Sequence, residues 1–107
     1  MVFQIIYGEI PPQADQPWAG AVNLYIMFYV YILKNIKDNK LYKGMTSDLK
    51  RRVKEHNFGK STFTRHGGKW RLVYYEAFLS EADARREELF LKSGKGRERI
   101  KYLLQNA

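Results

Sequence analysis

Two tyrosines, an arginine and a histidine stand at a spacing that suits phosphodiester chemistry. Tyr31 ends the triplet Tyr29-Val30-Tyr31, and Tyr42 opens the triplet Tyr42-Lys43-Gly44. Arg52 follows Tyr42 by ten residues, and His56 lies one helical turn beyond it. A guanidinium presents forked donors to phosphate oxygens, and an imidazole titrates near neutrality. A phenol with an ordinary pKa of about 10 is a poor base at pH 7. A neighbouring guanidinium or metal ion stabilises the phenolate and lowers that value, so that the phenol can orient a water or take its proton. Glu87 and Glu88 are the candidate carboxylates for Mg²⁺, which prefers oxygen ligands and keeps several waters. Each residue also has a plain explanation. Strand tyrosines pack at core rims, a basic helix can be merely solvated, and Glu88 with Lys92 forms an ordinary i, i+4 pair. The convergence carries the chemistry, not any single side chain.

The elements that must position these groups are readable around them. Phe28–Asn35 is rich in aromatic and β-branched residues and reads as a strand. Alternation puts Tyr29, Tyr31 and Leu33 on one face, with Phe28, Val30 and Ile32 on the other. Lys37–Lys40 is a polar turn, and Leu41–Met45 completes a hairpin, so Tyr31 and Tyr42 lie on neighbouring strands. Thr46, Ser47 and Asp48 offer N-caps, with Asp48 also suited to the first turn, for a helix over Leu49–Asn57, on which Arg52 and His56 share a face. Trp70–Phe78 reads as a third strand, and Ser80 with Asp83 opens a helix from Glu81 to Lys92. Gly94 and Gly96 are read as breakers before a last helix over Glu98–Gln105. The expectation is an α/β (α+β) fold: a small antiparallel three-stranded sheet with flanking helices, in the order β-β-α-β-α-α.

The chain has 107 residues, enough for one domain with a modest core. Its formal charge is +8, unevenly distributed. Residues 1–26 hold Glu9 and Asp15 and no Lys or Arg, so all 19 Lys+Arg fall in the remainder. That remainder, 27–107, is the expected functional domain. Residues 1–26 read either as an extension adding an edge strand through Val2–Tyr7 or as residues upstream of a true start at Met27. A domain this basic attracts polyanions. Lys50, Arg51 and Lys54 on the first helix, Lys60 and Arg65 in the basic loop after it, and Lys95 and Arg97 near Gly96 are the expected nucleic-acid contacts. With no cysteine, thiolate metal sites and cysteine nucleophiles are excluded. The apolar run Ala21–Leu33 is too short for a membrane span, no secretory signal is evident, and no P-loop pattern supports a nucleotide cofactor. The expected location is the cytoplasm.

Together these residues resemble the GIY-YIG nuclease domain in its small stand-alone bacterial form, similar to the N-terminal nuclease domain of the excision-repair nuclease. Tyr29-Val30-Tyr31 takes the place of GIY and Tyr42-Lys43-Gly44 that of YIG. Arg52-x-x-x-His56, Leu72–Glu76 and Glu88-x-x-x-Lys92-Ser93-Gly94 follow in the family order. The resemblance implies metal-dependent hydrolysis of phosphodiester bonds in DNA, including structured or damaged DNA, with one divalent ion, Mg²⁺ or Mn²⁺. It implies that Tyr31 or Tyr42 is the general base, that Arg52 and His56 complete the catalytic group, and that Glu88 holds the metal, with Glu87 its substitute. The departures are Tyr29 for the first glycine, Lys43 for the middle isoleucine, and Met45 where the excision-repair relatives carry lysine. A nucleic-acid-binding module of the same fold with little turnover is the alternative that Met45 keeps open.

Overall fold

The structure is a computed structural model that describes residues 2–6, 27–58 and 69–106. Its centre is set by two segments too apolar to leave either face in water. Phe28–Asn35 (β2) and Trp70–Phe78 (β4) are buried along nearly their whole length. Such continuous apolar runs are those of strands covered on both faces. They pair antiparallel, and Leu41–Thr46 (β3) pairs antiparallel with the free side of β2. These are the expected three strands. Val2–Ile6 (β1) adds a fourth by pairing antiparallel with β4, so the sheet order is β1-β4-β2-β3. Tyr7, the expected end of that edge strand, lies outside the described residues.

The β2–β3 turn is built around one buried side chain. Asn35 Oδ1 accepts the amides of Lys37 at 2.8 Å and Asp38 at 3.2 Å, while its own backbone N–H donates to the Lys40 carbonyl at 2.9 Å. Asn39 takes the left-handed conformation, φ 63°, which asparagine tolerates better than most residues.

Helix α1 (Leu49–Asn57) covers one face of the sheet. Asp48 caps it by accepting the Arg51 amide, and Leu49 and Val53 pack against Tyr29, Tyr31, Leu33, Leu72 and Tyr75. Helices α2 (Glu81–Leu91) and α3 (Gly94–Leu103) cover the other face, where Ala84, Leu91 and Ile100 meet Val30, Ile32, Val73 and Tyr74. The alternation along β2 therefore holds as read. Along β4 it breaks once, at a register shift opposite Ile32/Leu33 that sends consecutive residues Val73 and Tyr74 to the same face. A bulge of this kind leaves one residue out of the ladder and changes the facing of those beyond it.

The largest difference from the sequence reading is at the α2–α3 junction. Gly94 and Gly96 do not break the chain before Glu98; they form the first turn of α3. Ser93 Oγ accepts the Gly96 amide at 3.2 Å as N-cap, and the Ser93 amide donates to the Phe90 carbonyl at 2.9 Å. A Cβ on Gly96 would run into the Phe90 carbonyl and Leu91 Cα. The glycine is there for close approach of backbones, and that contact outweighs its helix penalty of about 1 kcal/mol.

Candidate active site

The β2–β3 register places Gly44 directly opposite Tyr31, and Tyr42 opposite Leu33. On the face under α1, Tyr31 and Tyr42 are therefore diagonal neighbours, with ring centroids 6.2 Å apart. Gly44 leaves the space between them. A Cβ there would lie 2.5 Å from Tyr31 Oη and 3.0 Å from Tyr42 Cε1. The side chain of Tyr31 thus lies over the glycine of the second triplet.

Helix α1 brings Arg52 and His56 down onto this pair. His56 is fully buried, its Nε2 is 2.8 Å from Tyr31 Oη, and its ring centroid lies 4.5 Å from that of Tyr42 and 5.8 Å from that of Tyr31. Arg52 is half-buried, interacts with both phenols, and forms an ion pair with Glu55 at 3.6 Å. The four expected residues form one connected polar cluster in an otherwise apolar layer.

Burial sets the protonation of this cluster. It lowers the His56 pKa to about 4, and the Arg52 charge pushes in the same direction against a smaller opposing effect of Glu55. His56 is therefore neutral at pH 7. Burial raises the Tyr31 phenol far above its ordinary value, and the neighbouring Tyr42 adds to this while Arg52 opposes it. Tyr31 is therefore a protonated phenol held against a neutral imidazole. Tyr42, on the edge strand and only half-buried, is the phenol nearer solvent.

The remaining expected residues fall elsewhere. Lys50, Arg51 and Lys54 are exposed on α1, and Arg51 pairs loosely with Asp48 at 3.9 Å. Lys95 and Arg97 are exposed in the first turn of α3. Lys60 and Arg65 lie outside the described residues. Glu88 lies on α2, across the sheet from α1, with its side chain mostly buried and its carboxylate 3.6 Å from Lys92 Nζ. Lys92 and Arg97 in turn crowd Lys43, whose pKa is lowered by burial and by those two charges. Lys43 separates Tyr42 from Gly44 on the edge strand and points to the opposite face, so Glu88 approaches this edge from the far side of the sheet. Among the described residues, no group of three or more His, Cys, Asp or Glu converges on one point.

Two carboxylates were not among the expected site residues. Glu55 pairs with Arg52, and its i, i+3 spacing on the helix was the available signal. Glu76 is buried beneath α2, accepts a hydrogen bond from Tyr74 Oη at 2.7 Å, and is linked to Glu87. Its signal was an acidic residue inside a strand of apolar neighbours. Glu87 thus faces Glu76, while the neighbouring Glu88 pairs with Lys92.

Fold and cluster together define a class: an antiparallel sheet that presents two strand tyrosines to an Arg/His helix. The chain matches the GIY-YIG catalytic domain over residues 27–101 and belongs to that family. It is similar to the UPF0213 protein CPE1444 of Clostridium perfringens (strain 13 / Type A), with 45% identity over 67 residues covering 62% of this chain and 71% of that protein. It is also similar to the UPF0213 protein in the ldhD 5' region of Pediococcus acidilactici, 40% identical over 82 residues, 74% of this chain and 83% of that one. Among solved structures it resembles the solution NMR structure of the UPF0213 protein BH0048 from Bacillus halodurans, 41% identical, with a TM-score of 0.45, covering 72% and 84% of the two chains. None of the described helices is long and apolar enough to cross a membrane.

Proposed function

We propose that the domain is a metal-dependent endonuclease that hydrolyses phosphodiester bonds in DNA. The observation that carries this reading is the connected Tyr31–His56–Tyr42–Arg52 cluster beside Gly44 of the edge strand. Tyr31 Oη and the neutral imidazole of His56 share a hydrogen bond, which fixes the phenol behind Tyr42. Tyr42 is then the group that meets the attacking water and takes or orients its proton. Arg52 offers its guanidinium to charge building on the phosphate oxygens.

The residues present fit one divalent ion of the Mg²⁺ type. Such an ion is content with one carboxylate, substrate oxygens and waters, and Glu88, here paired with Lys92, would hold it, with Glu87 its substitute. When bound, the ion supplies Lewis-acid polarisation of a phosphate oxygen. Lys92 is the counter-charge that Glu88 would exchange for it. The exposed Lys50, Arg51, Lys54, Lys95 and Arg97 supply phosphate contacts that carry no sequence information. One observation favours the alternative, a binding module with little turnover: Met45 stands where the excision-repair relatives have a lysine.

The test is cleavage of labelled single-stranded, duplex, flap and branched DNAs, with RNA alongside, in Mg²⁺, Mn²⁺ or EDTA. The wild type is expected to cut only with metal, and Tyr42→Phe and Glu88→Ala each to lose about 100-fold or more in kcat. Salt-sensitive binding without cutting would establish the binding module instead. Cutting that persists in EDTA would remove the metal from the reading.

A further inference from the structure

At the end of α1, next to the start of β4, Ile36, Asn57, Phe58, Lys69, Trp70 and Arg71 line an open cleft of about 460 Å³. Two of its large apolar side chains face solvent, Phe58 at 76% exposure and Ile36 at 64%. Single exposed apolar residues are ordinary, but a pair bounding one cleft between cations is a ligand-binding pattern. The walls are fixed. The Phe58 amide donates to the Lys54 carbonyl at 2.9 Å, and the Ile36 amide donates to the Lys69 carbonyl at 3.1 Å. The Asn57 carboxamide spans the Trp70 backbone, donating to its carbonyl at 3.0 Å and accepting its amide at 2.8 Å. With Asn57 so engaged, the cleft offers a flat apolar contact rather than hydrogen bonds to a base edge.

Charge gives the second observation. Lys34 and Arg71 are direct partners across β2 and β4. Like charges placed opposite one another destabilise a sheet. Among the described residues no carboxylate pairs with Lys34, Lys69 or Arg71; the ion pairs lie at Lys40, Arg51, Arg52, Arg85, Arg86 and Lys92. Lys69 and Arg71 line the cleft, and a polyanion bound there supplies the counter-charge that they lack among the described residues.

We propose that this cleft is a subsite for an unpaired base of the DNA strand, stacked on Phe58, with Lys69 and Arg71 of its rim holding the adjoining phosphates. Phe58 lies two residues beyond His56, about 3 Å along the helix axis. The base it holds is therefore within a few nucleotides of a phosphate at the phenols. A base paired in a duplex cannot enter the cleft, so the subsite selects single-stranded segments and does so without regard to sequence. The inference rests on the nucleic-acid reading above but not on turnover.

The test is anisotropy of a labelled single-stranded DNA and of its duplex, in EDTA, against wild type, Phe58→Ala and Phe58→Trp. Phe58→Ala is expected to raise Kd for the single strand roughly tenfold or more, Phe58→Trp to restore it, and duplex binding to stay unchanged. An abasic site walked along the strand should cost affinity at one register in wild type and at none in Phe58→Ala. Equal affinity of wild type and Phe58→Ala, equal weakening on both DNAs, or no affinity for single strands would each overturn the subsite. Cleavage by a wild type whose binding ignores Phe58 removes the subsite alone. Phe58-dependent binding without cleavage in Mg²⁺ supports the subsite and removes only the catalytic reading.

Discussion

Gly44 shows most directly how one residue conditions the chemistry. The space of its missing side chain is filled by the end of Tyr31, whose Oη would lie 2.5 Å from an added Cβ. Tyr31 cannot simply swing aside, because it is buried and its hydroxyl is bonded to His56. Gly44→Ala must therefore break the Tyr31–His56 bond or shift the edge strand. Overpacking of this kind costs typically about 1–3 kcal/mol. The expected outcome is a stability in urea lowered by that amount and a kcat reduced about 100-fold or more, read by denaturation and by cleavage on the same preparation. Full activity in Gly44→Ala would detach the Tyr31–His56 contact from catalysis. Tyr29, where the family motif has its first glycine, needs no such space. It packs edge-on against Tyr75 at 5.9 Å inside the α1 layer, and burial lifts its pKa to about 12.

The two glycines at the start of α3 separate propensity from packing at the scale of elements. Nothing lies within 4 Å of a Cβ built on Gly94, whereas one built on Gly96 strikes the Phe90 and Leu91 backbone. Gly94→Ala is expected to raise stability by roughly 0.5–1 kcal/mol, since alanine loses less backbone freedom on folding. Gly96→Ala is expected to lower it by about 3 kcal/mol or more, because backbone cannot yield as a side chain can. Thermal melts of both variants check the contrast, and similar shifts for both would contradict the packing assignment. The same junction marks the limit of what the sequence discloses. The strands, α1 and the Ser80 cap were legible because alternation, helical spacing and capping are local patterns. The early start of α3 was not, because Gly96 answers to a backbone contact that propensity does not see. The bulge at Val73/Tyr74, and hence the burial of Glu76, was hidden for the same reason: register is settled between strands. Tyr31, Tyr42, Arg52 and His56 were legible as a set because each sits on a locally readable element. Glu88 was legible only as a motif position, since its place depends on how α2 lies across the sheet.

At the scale of the whole molecule, a histidine is buried on one side of the sheet and a carboxylate on the other, and their proton linkages oppose one another. His56, under α1, has a folded pKa of about 4 against an ordinary 6.5. Between those values the unfolded chain binds the proton, so the stability His56 contributes above pH 6.5 is lost as pH falls. At about 1.4 kcal/mol per pKa unit, that loss is on the order of 3 kcal/mol. Glu76, under α2 and α3, is shifted upward by burial and by the adjoining Glu87 carboxylate, while the Tyr74 hydroxyl and Arg99 act in the opposite sense. Here the folded chain binds the proton, so its contribution is complete below about pH 4.5 and is lost as pH rises through the folded pKa. In the window from about 4.5 to 6.5 the two slopes have opposite signs, and the wild type is expected to show a shallow profile. Glu76→Gln keeps an acceptor for Tyr74 but removes one slope, so its stability should rise with pH through that window more steeply than wild type. His56→Gln removes the other, and its stability should fall with pH. Urea midpoints at closely spaced pH values report both. Parallel profiles for wild type and Glu76→Gln would show that Glu76 takes up no proton on folding.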